Sequence, residues 1–360
     1  MELMRNLRLG APLGLVIALF SLPESRLTAQ EIELPLGGPP PAPVDAAAVG
    51  FQSYLQLVGA KARGQGVSQQ AVDGILGGLT YNPRVVALDR SQPGSTTGSP
   101  PAFWPYYQRH IGAARINQGR SALAENAELV RRFEAEYGVP ASMIVAIWGK
   151  ETFYGRIKGD FDLARSLATL AYEGRRRELF EGELIALMKM ADRGVPRARM
   201  LGSWAGAFGN PQFLPSVFLR VARDGDGDGD ADIWHSRADT FASIANYFRD
   251  AGWRAGEPWG VRASLPAGFD RSQLSPRIEA PSCPRVLARH SVWKTVGEWR
   301  ALGVEPRAAI ADQTMAVLFE PDGAGNGAFL LTGNYRVILH YNCSNYYALS
   351  VGLLADEIAR

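Results

Sequence analysis

The chain has little excess charge, only two cysteines, and no uninterrupted apolar run of membrane-spanning length. Its 38 lysines and arginines against 36 aspartates and glutamates leave a formal net charge of +2. A nearly balanced charge provides no general attraction to nucleic acid or to an anionic membrane, so we expect no nucleic-acid partner. The 360 residues, 46% of them hydrophobic, are ample for one large core or two smaller ones.

The longest apolar stretch lies near the amino terminus, at residues 9–22, and is interrupted by Pro12. A spanning helix needs about 20 apolar residues, so a membrane anchor is the weaker interpretation. Basic residues precede the stretch and the small residues of Leu27–Ala29 follow it, which is the plan of a secretory signal. We expect a periplasmic protein with residues 1–29 as signal peptide, and no cysteine follows the stretch to make a lipoprotein box.

Export affects the interpretation of the two cysteines, Cys283 and Cys343. An oxidising compartment would allow this pair to form a disulfide. Two separate buried thiols are the alternative. A disulfide closing a loop of this length would stabilise the fold by about 4 kcal/mol in the chain-entropy model.

Hydrophobic periodicity divides the remaining chain into a linker and one folded unit. Residues 30–45 are rich in proline and glycine, which is typical of a linker. Residues 88–111 resemble an irregular connection, and residues 334–342 fit a helix or a strand. We therefore predict a mainly α fold with a minor β element (α+β) over residues 46–360. The predicted helices are 46–66, 68–79, 119–138, 140–152, 175–194, 239–253 and 345–359, and the β-prone segments are 261–265, 314–320 and 328–333.

Glu151 is unusual because it ends an apolar helical segment, "AIWGKETFYG". Helical spacing places Ile147 and Trp148 on the same face as Glu151. Burial beside them would raise the pKa of this carboxyl toward the range of a general acid. The alternative is a structural ion pair with Lys150, Arg156 or an arginine of a neighbouring helix, and the spacing favours neither. Other glutamates lie among arginines and indicate a solvated face: Glu173, Glu178, Glu181 and Glu183.

Two further segments favour a binding groove. "GSWAGAFGNPQFLPS" (Gly202–Ser216) interleaves glycines with Ser203, Gln212 and aromatics, which suits a wall where backbone and amide groups approach a polar ligand. "HYNCSNYY" (His340–Tyr347) offers Asn342 and three tyrosines. Ring stacking and amide hydrogen bonds of this kind commonly hold sugars in proteins.

Three segments taken together resemble the membrane-bound lytic transglycosylase B family. They are "IWGKETFYG", the glycine-rich run with the aspartate-rich loop and "IANYFRDAGW" after it, and "LTGNYRVILHYNCSNYYALSVGLL". The likeness runs in order from about Phe51 to the last residues. It implies a lysozyme-like helical core with an additional helical subdomain, acting on peptidoglycan. Such enzymes cleave the β-1,4 bond between N-acetylmuramic acid (MurNAc) and N-acetylglucosamine (GlcNAc) without water and leave a 1,6-anhydro ring.

The resemblance also implies roles for individual residues. The family's single catalytic acid falls on Glu151, and no cofactor is needed for catalysis. Implied partners are peptidoglycan glycan strands and wall-remodelling or secretion machinery, and we expect a monomer. Membrane anchoring is not carried over because the lipoprotein cysteine is missing. The implied substrate contacts are Ser203, Gln212, Tyr341, Asn342, Ser344 and Tyr347, with Arg176 and Phe180 as additional groove residues.

A mechanism with one carboxylate fits the sequence around Glu151. Ordinary glycosidases use two carboxyl groups, and no second acidic residue lies in a comparable apolar motif. Glu151 would protonate the leaving oxygen and then accept the proton of the C6 hydroxyl as that hydroxyl attacks C1. The alternatives are a hydrolytic muramidase and a non-catalytic wall-binding or calcium-stabilised scaffold.

An aspartate-rich loop, "DGDGDGDADIWH" (Asp224–His235), matches the first half of an EF-hand calcium loop. Its twelfth position is His235 where a glutamate is expected, and the resemblance offers Asp239 as the substitute ligand. Asp239 also suits a helix cap, so a plain turn is the alternative. We favour a structural Ca²⁺ site because so many like charges would otherwise repel each other. The predicted ligands are Asp224, Asp226, Asp228, Asp230 and Asp239.

Overall fold

A computed structural model describes residues 46–92, 102–275, 277, 280 and 282–360. The signal peptide predicted over residues 1–29 and the linker predicted over residues 30–45 lie outside the described residues. In the described part of the chain, no helix is long and apolar enough to cross a membrane. The helices are α1 (Ala46–Gly64), α2 (Gln69–Leu76), α3 (Pro83–Arg90), α4 (Phe103–His110), α5 (Ala113–Glu125), α6 (Ala127–Tyr137), α7 (Ala141–Thr152), α8 (Leu163–Glu173), α9 (Arg177–Asp192), α10 (Pro215–Val221), α11 (Arg237–Asp250), α12 (Pro284–Leu287), α13 (Val296–Ala301), α14 (Gly333–Tyr341) and α15 (Asn345–Ala359). The strands are β1 (Phe161–Asp162), β2 (Leu201–Gly202), β3 (Gly260–Ser264), β4 (Trp293–Thr295), β5 (Glu305–Pro306), β6 (Met315–Phe319) and β7 (Ala328–Leu331).

The helix predicted over residues 119–138 is in fact two helices, because α5 and α6 meet at Asn126. The Asn126 side chain donates to the carbonyl of Ala122 at 2.7 Å. Short amide side chains compete with the backbone for such acceptors and disfavour a continuous helix. The prediction of one helix was therefore wrong at this residue.

The irregular connection predicted over residues 88–111 is also partly wrong. It contains the end of α3 and all of α4. The first turn of α4 is capped from far away in the sequence, since the amide of Phe103 donates to the Asp322 carboxylate at 2.6 Å. A cap supplied by tertiary structure leaves no local signal for the helix start.

An antiparallel sheet in the order β4-β6-β7-β3-β5 lies between two apolar cores. Alternate residues of β6 and β7 point to opposite faces of the sheet. Val317 and Leu331 join the main helical core, whereas Leu318 and Leu330 pack with Trp299 of α13 in a smaller second core. The β-prone segments predicted for β3, β6 and β7 are confirmed, and the ambiguous segment 334–342 forms helix α14.

Candidate active site

Glu151 lies on the last turn of α7, a helix enclosed by the main core. Helix α7 packs against α5, α6, α11 and α15. Ile147 is fully buried and Trp148 is 5% exposed, so the predicted apolar face is confirmed. The Trp148 indole donates to Asn210 Oδ1 at 3.1 Å, and the Asn210 amide donates in turn to Thr240 Oγ1 at 3.1 Å. This chain of bonds ties α7 to the start of α11.

The backbone turns sharply directly after Glu151. Phe153 and Tyr154 both have left-handed φ angles, of 51° and 58°, and Gly155 follows with a φ of 84°. Left-handed conformations are strained for residues with a side chain. The Arg115 guanidinium holds this helix end by donating to the carbonyl of Gly149 and, at 3.4 Å, to that of Lys150.

The Glu151 carboxyl is partly buried and its hydrogen bond comes from a tyrosine. The Tyr347 hydroxyl donates to Glu151 Oε1. Burial raises the pKa of Glu151 to about 7, against the opposing effects of the Tyr347 hydrogen bond and the nearby charges of Lys150 and Arg115. Among the described residues no cation lies within ion-pair distance of this carboxylate. The alternative of a structural ion pair is therefore wrong, and the predicted rise in pKa agrees with this environment.

Four tyrosines from four different helices surround the carboxyl: Tyr106, Tyr247, Tyr341 and Tyr347. Burial raises the pKa of each phenol, and the Glu151 charge adds to the rise. The rings of Tyr341 and Tyr347 are stacked with centroids 6.5 Å apart, and Tyr247 lies 4.6 Å from Tyr341. Tyr106 and Tyr247 were not predicted as site residues. The segment of α4 was predicted to be irregular, and Tyr247 lies in a predicted helix without a motif that marks a site.

The glycine-rich wall contains two of the predicted substrate contacts. Ser203 Oγ accepts from the amide of Ala207 at 3.0 Å. The Gln212 side-chain amide donates to the carbonyls of Gly209 and Lys158, at 3.0 and 3.2 Å, from a residue whose own φ is 52°. Both side chains are partly buried.

The glycines of this wall leave space for other side chains of the protein to pack against the backbone. A side chain on Gly206 would come within 2.5 Å of Leu167, and one on Gly209 within 2.8 Å of Ile233. Both glycines also have left-handed φ angles, of 94° and 68°. The sequence interpretation, in which the glycines let the backbone approach a ligand, misses this packing reason.

The predicted contacts near the end of the chain lie around Tyr347. The Tyr341 hydroxyl donates to the carbonyl of Pro211 at 2.6 Å, which joins α14 to the wall. Asn342 ends α14 and is 9% exposed. Ser344 caps α15, since its hydroxyl accepts from the amide of Tyr347 at 3.3 Å. Ser344 therefore fixes the helix turn that carries Tyr347.

The two additional groove residues have different environments. The Arg176 guanidinium forms an ion pair with Asp89 at 2.5 Å and lies 4.7 Å from the centroid of the Phe180 ring. Phe180 is 2% exposed, so its ring is covered in this structure. Their predicted role in a groove stays a prediction.

Glu183 corrects the interpretation of the arginine-rich segment as a solvated face. This residue is 6% exposed, and burial raises its pKa. Its carboxylate accepts from the amide and the hydroxyl of Ser216, at 2.9 and 2.7 Å. Ser216 lies in the first turn of α10, where a negative charge is favoured by the helix dipole. Glu183 thus has a structural role that its charged sequence neighbours conceal.

The aspartate-rich loop brings three of its predicted ligands together. Carboxylate oxygens of Asp224, Asp226 and Asp239 all lie within 4.8 Å of one another. Asp228 is not part of this group, and Asp230 forms an ion pair with Arg199. Among the described residues these three aspartates provide oxygen ligands of the kind that Ca²⁺ prefers.

Asp239 does not cap α11, contrary to the alternative considered from the sequence. The cap is Ser236, whose hydroxyl accepts from the amide of Asp239 at 3.2 Å. The Asp239 carboxylate is fully buried and accepts from the amides of Gly225 and Asp232, at 2.7 and 2.6 Å. It therefore connects the two ends of the loop.

The two cysteines are joined in a disulfide, as predicted. The Cα atoms of Cys283 and Cys343 are 5.8 Å apart. The bond links the start of α12 to the turn between α14 and α15. That turn also contains Asn342 and Ser344, so the disulfide supports the segment that leads to Tyr347.

Comparison with known proteins identifies the family. A family model described as a transglycosylase SLT domain matches residues 50–356. The chain belongs to this family. The prediction of a lytic transglycosylase, an enzyme that acts on peptidoglycan, is thereby confirmed at the level of the family.

Several relatives resemble the chain over most of its length. Membrane-bound lytic murein transglycosylase B of Escherichia coli is 29% identical, over 82% of this chain and 79% of that protein. A crystal structure of SltB3 from Pseudomonas aeruginosa with NAG-anhNAM-pentapeptide is 40% identical, with a TM-score of 0.77 over 86% of this chain and 79% of that one. Slt35 from Escherichia coli in complex with calcium is 27% identical, with a TM-score of 0.68 over 87% and 93% of the two chains. The predicted α+β, lysozyme-like fold is confirmed.

Proposed function

We propose that this transglycosylase cleaves the β-1,4 MurNAc–GlcNAc bond of peptidoglycan without consuming water. The observation that carries the proposal is Glu151, a partly buried carboxyl whose pKa is raised to about 7 and whose hydrogen bond comes from Tyr347. At neutral pH a substantial fraction of such a carboxyl is protonated and able to donate. Ser203, Gln212, Asn342 and the surrounding tyrosines are proposed to hold the sugars.

The reaction proceeds in two steps with the same carboxyl group. Glu151 first gives its proton to the glycosidic oxygen as the bond from that oxygen to C1 of MurNAc breaks. The N-acetyl group of the substrate shields the electron-deficient C1. The C6 hydroxyl of MurNAc then attacks C1 and passes its proton to the Glu151 carboxylate, which restores the acid. The products are a GlcNAc hydroxyl end and a 1,6-anhydro-MurNAc end.

The relatives support this direction of the chemistry. Pseudomonas aeruginosa SltB3 has been crystallised with NAG-NAM-pentapeptide and with NAG-anhNAM-pentapeptide. The second fragment carries the anhydro-muramic end that the proposed reaction would form, and the first contains the same two sugars without the anhydro ring. Among the described residues, no observation favours a hydrolytic muramidase or a non-catalytic scaffold over the transglycosylase.

Digestion of purified sacculi followed by mass spectrometry tests the proposal. We expect wild-type enzyme to release anhydro-muropeptides and Glu151→Gln to release none, while the variant still binds sacculi. Glu178→Gln removes a solvent-exposed glutamate and should retain wild-type activity. Products heavier by one water would identify a hydrolase, and near-normal release by Glu151→Gln would contradict the role of Glu151.

The proposed substrate indicates the cellular location and the partners of the enzyme. Peptidoglycan lies outside the cytoplasm, so export by the predicted signal peptide to the periplasm is consistent with this activity. The proposed partners remain glycan strands and wall-remodelling or secretion machinery, with the enzyme itself a monomer.

We also propose a structural Ca²⁺ ion in the aspartate-rich loop. Asp224, Asp226 and Asp239 would hold the ion through the carboxylate oxygens that already converge. Without a cation, the charges of Asp224 and Asp226 add to burial in raising the pKa of Asp239. The ion would supply positive charge to this cluster and has no step in the reaction.

A further inference from the structure

Lys150 is a partly buried cation held by aromatic rings beside the active-site carboxyl. Its ammonium nitrogen lies 3.4 Å from the Tyr106 hydroxyl oxygen. It also lies 5.4 Å from the centroid of the Tyr106 ring and 5.8 Å from that of Tyr347. In the described ranges no carboxylate comes within ion-pair distance of this ammonium. Ring faces attract a cation but do not neutralise it, so the charge of Lys150 acts on its surroundings.

The other groups described around Glu151 include one further cation. Arg115 on α5 also acts on the carboxyl, with a smaller effect than Lys150, and its guanidinium donates to the backbone at the end of α7. The tyrosines from α4, α11, α14 and α15 are neutral phenols, because burial raises the pKa of each. His110, stacked on Tyr106 at 4.0 Å, has a pKa lowered by burial and by Lys150 and stays neutral at pH 7.

We propose that Lys150, which lies against the Tyr347 ring whose hydroxyl donates to Glu151, is a positioning residue that stabilises the Glu151 carboxylate left after proton donation. The inference rests on the proposed role of Glu151 as acid and then base. A one-carboxylate mechanism needs the same group protonated in the first step and ionised in the second. Burial favours the protonated form, whereas a nearby ammonium favours the ionised form.

The ammonium keeps its charge over the pH range in which this matters. Burial lowers the pKa of Lys150 to about 8, so most of the side chain is still protonated at pH 7. As the pH rises above 8, Lys150 loses its proton, and its electrostatic stabilisation of the Glu151 carboxylate declines. Lys150 and Glu151 therefore titrate as an interacting pair.

The pH dependence of sacculus digestion tests this role. In wild-type enzyme, activity should fall as the pH rises through about 7, because Glu151 loses the proton that it donates. Lys150→Met should move this fall to higher pH by about one unit, since an opposite charge has been removed. Lys150→Arg should return the fall toward its wild-type position. Arg156→Met removes a solvent-exposed cation over the Phe153 ring, and it should leave the pH at which activity falls unchanged.

A second measurement follows Glu151 itself and does not depend on turnover. Titration of ¹³C-labelled glutamate carboxyls by NMR, with the Glu151 signal assigned by its loss in Glu151→Gln, should show the same upward shift in Lys150→Met. Lys150→Gln serves the same purpose if the methionine variant does not fold. An unchanged titration and an unchanged pH profile would overturn this inference alone. Activity in Glu151→Gln would instead overturn the proposed function.

Discussion

The residues around Glu151 explain why its carboxyl can donate a proton near neutral pH and why it lowers the stability of the fold. Burial in a protein disfavours the ionised carboxyl, and the Tyr347 hydrogen bond and the two nearby cations only partly oppose that effect. Raising the pKa of a carboxyl from 4.5 to about 7 corresponds to about 3 kcal/mol against the ionised form. Active-site residues commonly lower the stability of a protein in this way, because their function requires an unfavourable environment.

Glu151→Gln should therefore stabilise the protein, and more so at high pH. The folded state binds the Glu151 proton more tightly than the unfolded state, so wild-type stability falls as the pH rises from about 4.5 through 7. Glutamine does not titrate, and its carbonyl can still accept from Tyr347. We expect the stability advantage of the variant to grow by about 2–3 kcal/mol between pH 5 and pH 8, measured by urea denaturation.

An advantage that is constant across this pH range would mean that Glu151 has an ordinary pKa in the folded enzyme. Glu178→Gln is the matched control. Its side chain is exposed to solvent, and its stability relative to wild type should not change between the two pH values.

Elements with a strong local pattern were predictable, and elements defined by distant partners were not. The apolar face of α7 and the continuous run of α15 follow from spacing alone. Helix α4 was missed because its cap, Asp322, lies more than 200 residues away. The role of Glu183 was missed for the same reason, since charged neighbours suggested solvent while Ser216 of α10 supplies its partners. Tyr106 and Tyr247 reach Glu151 only through the packing of α4 and α11.

The loop before α11 is the element whose stability should depend on metal. If Ca²⁺ binds the converging aspartates, chelation should lower the melting temperature, and added Ca²⁺ should restore it. Asp226→Asn removes one of the three converging carboxylates and should weaken the response to Ca²⁺. Differential scanning calorimetry with and without chelator measures both effects.

Asp160→Asn provides the control for loss of one negative charge, because Asp160 is exposed and lies outside the cluster. Its response to Ca²⁺ should match that of wild type. A melting temperature that neither chelator nor Ca²⁺ changes would show that the loop is held by its hydrogen bonds alone.

The whole molecule brings groups from distant parts of the chain to one carboxyl. Helices α4, α11, α14 and α15 each contribute a tyrosine around α7. The sheet supports this arrangement by presenting one face to the main core and the other to its own small core. Because α14 and α15 carry Tyr341 and Tyr347, the connection between these helices and the sheet region affects both stability and the site.

The Cys283–Cys343 disulfide covalently secures that connection, across 60 residues of sequence. Cys283→Ser combined with Cys343→Ser should lower the free energy of unfolding by up to about 4 kcal/mol, because the unfolded chain regains the entropy of an open loop. Urea denaturation should show wild type becoming similar to the variant when reductant is added. The variant itself should not respond to reductant, which separates loss of the bond from other effects of reduction. Equal stability of the oxidised wild type and the double variant would mean that the helices and the sheet hold the α14–α15 turn without the bond.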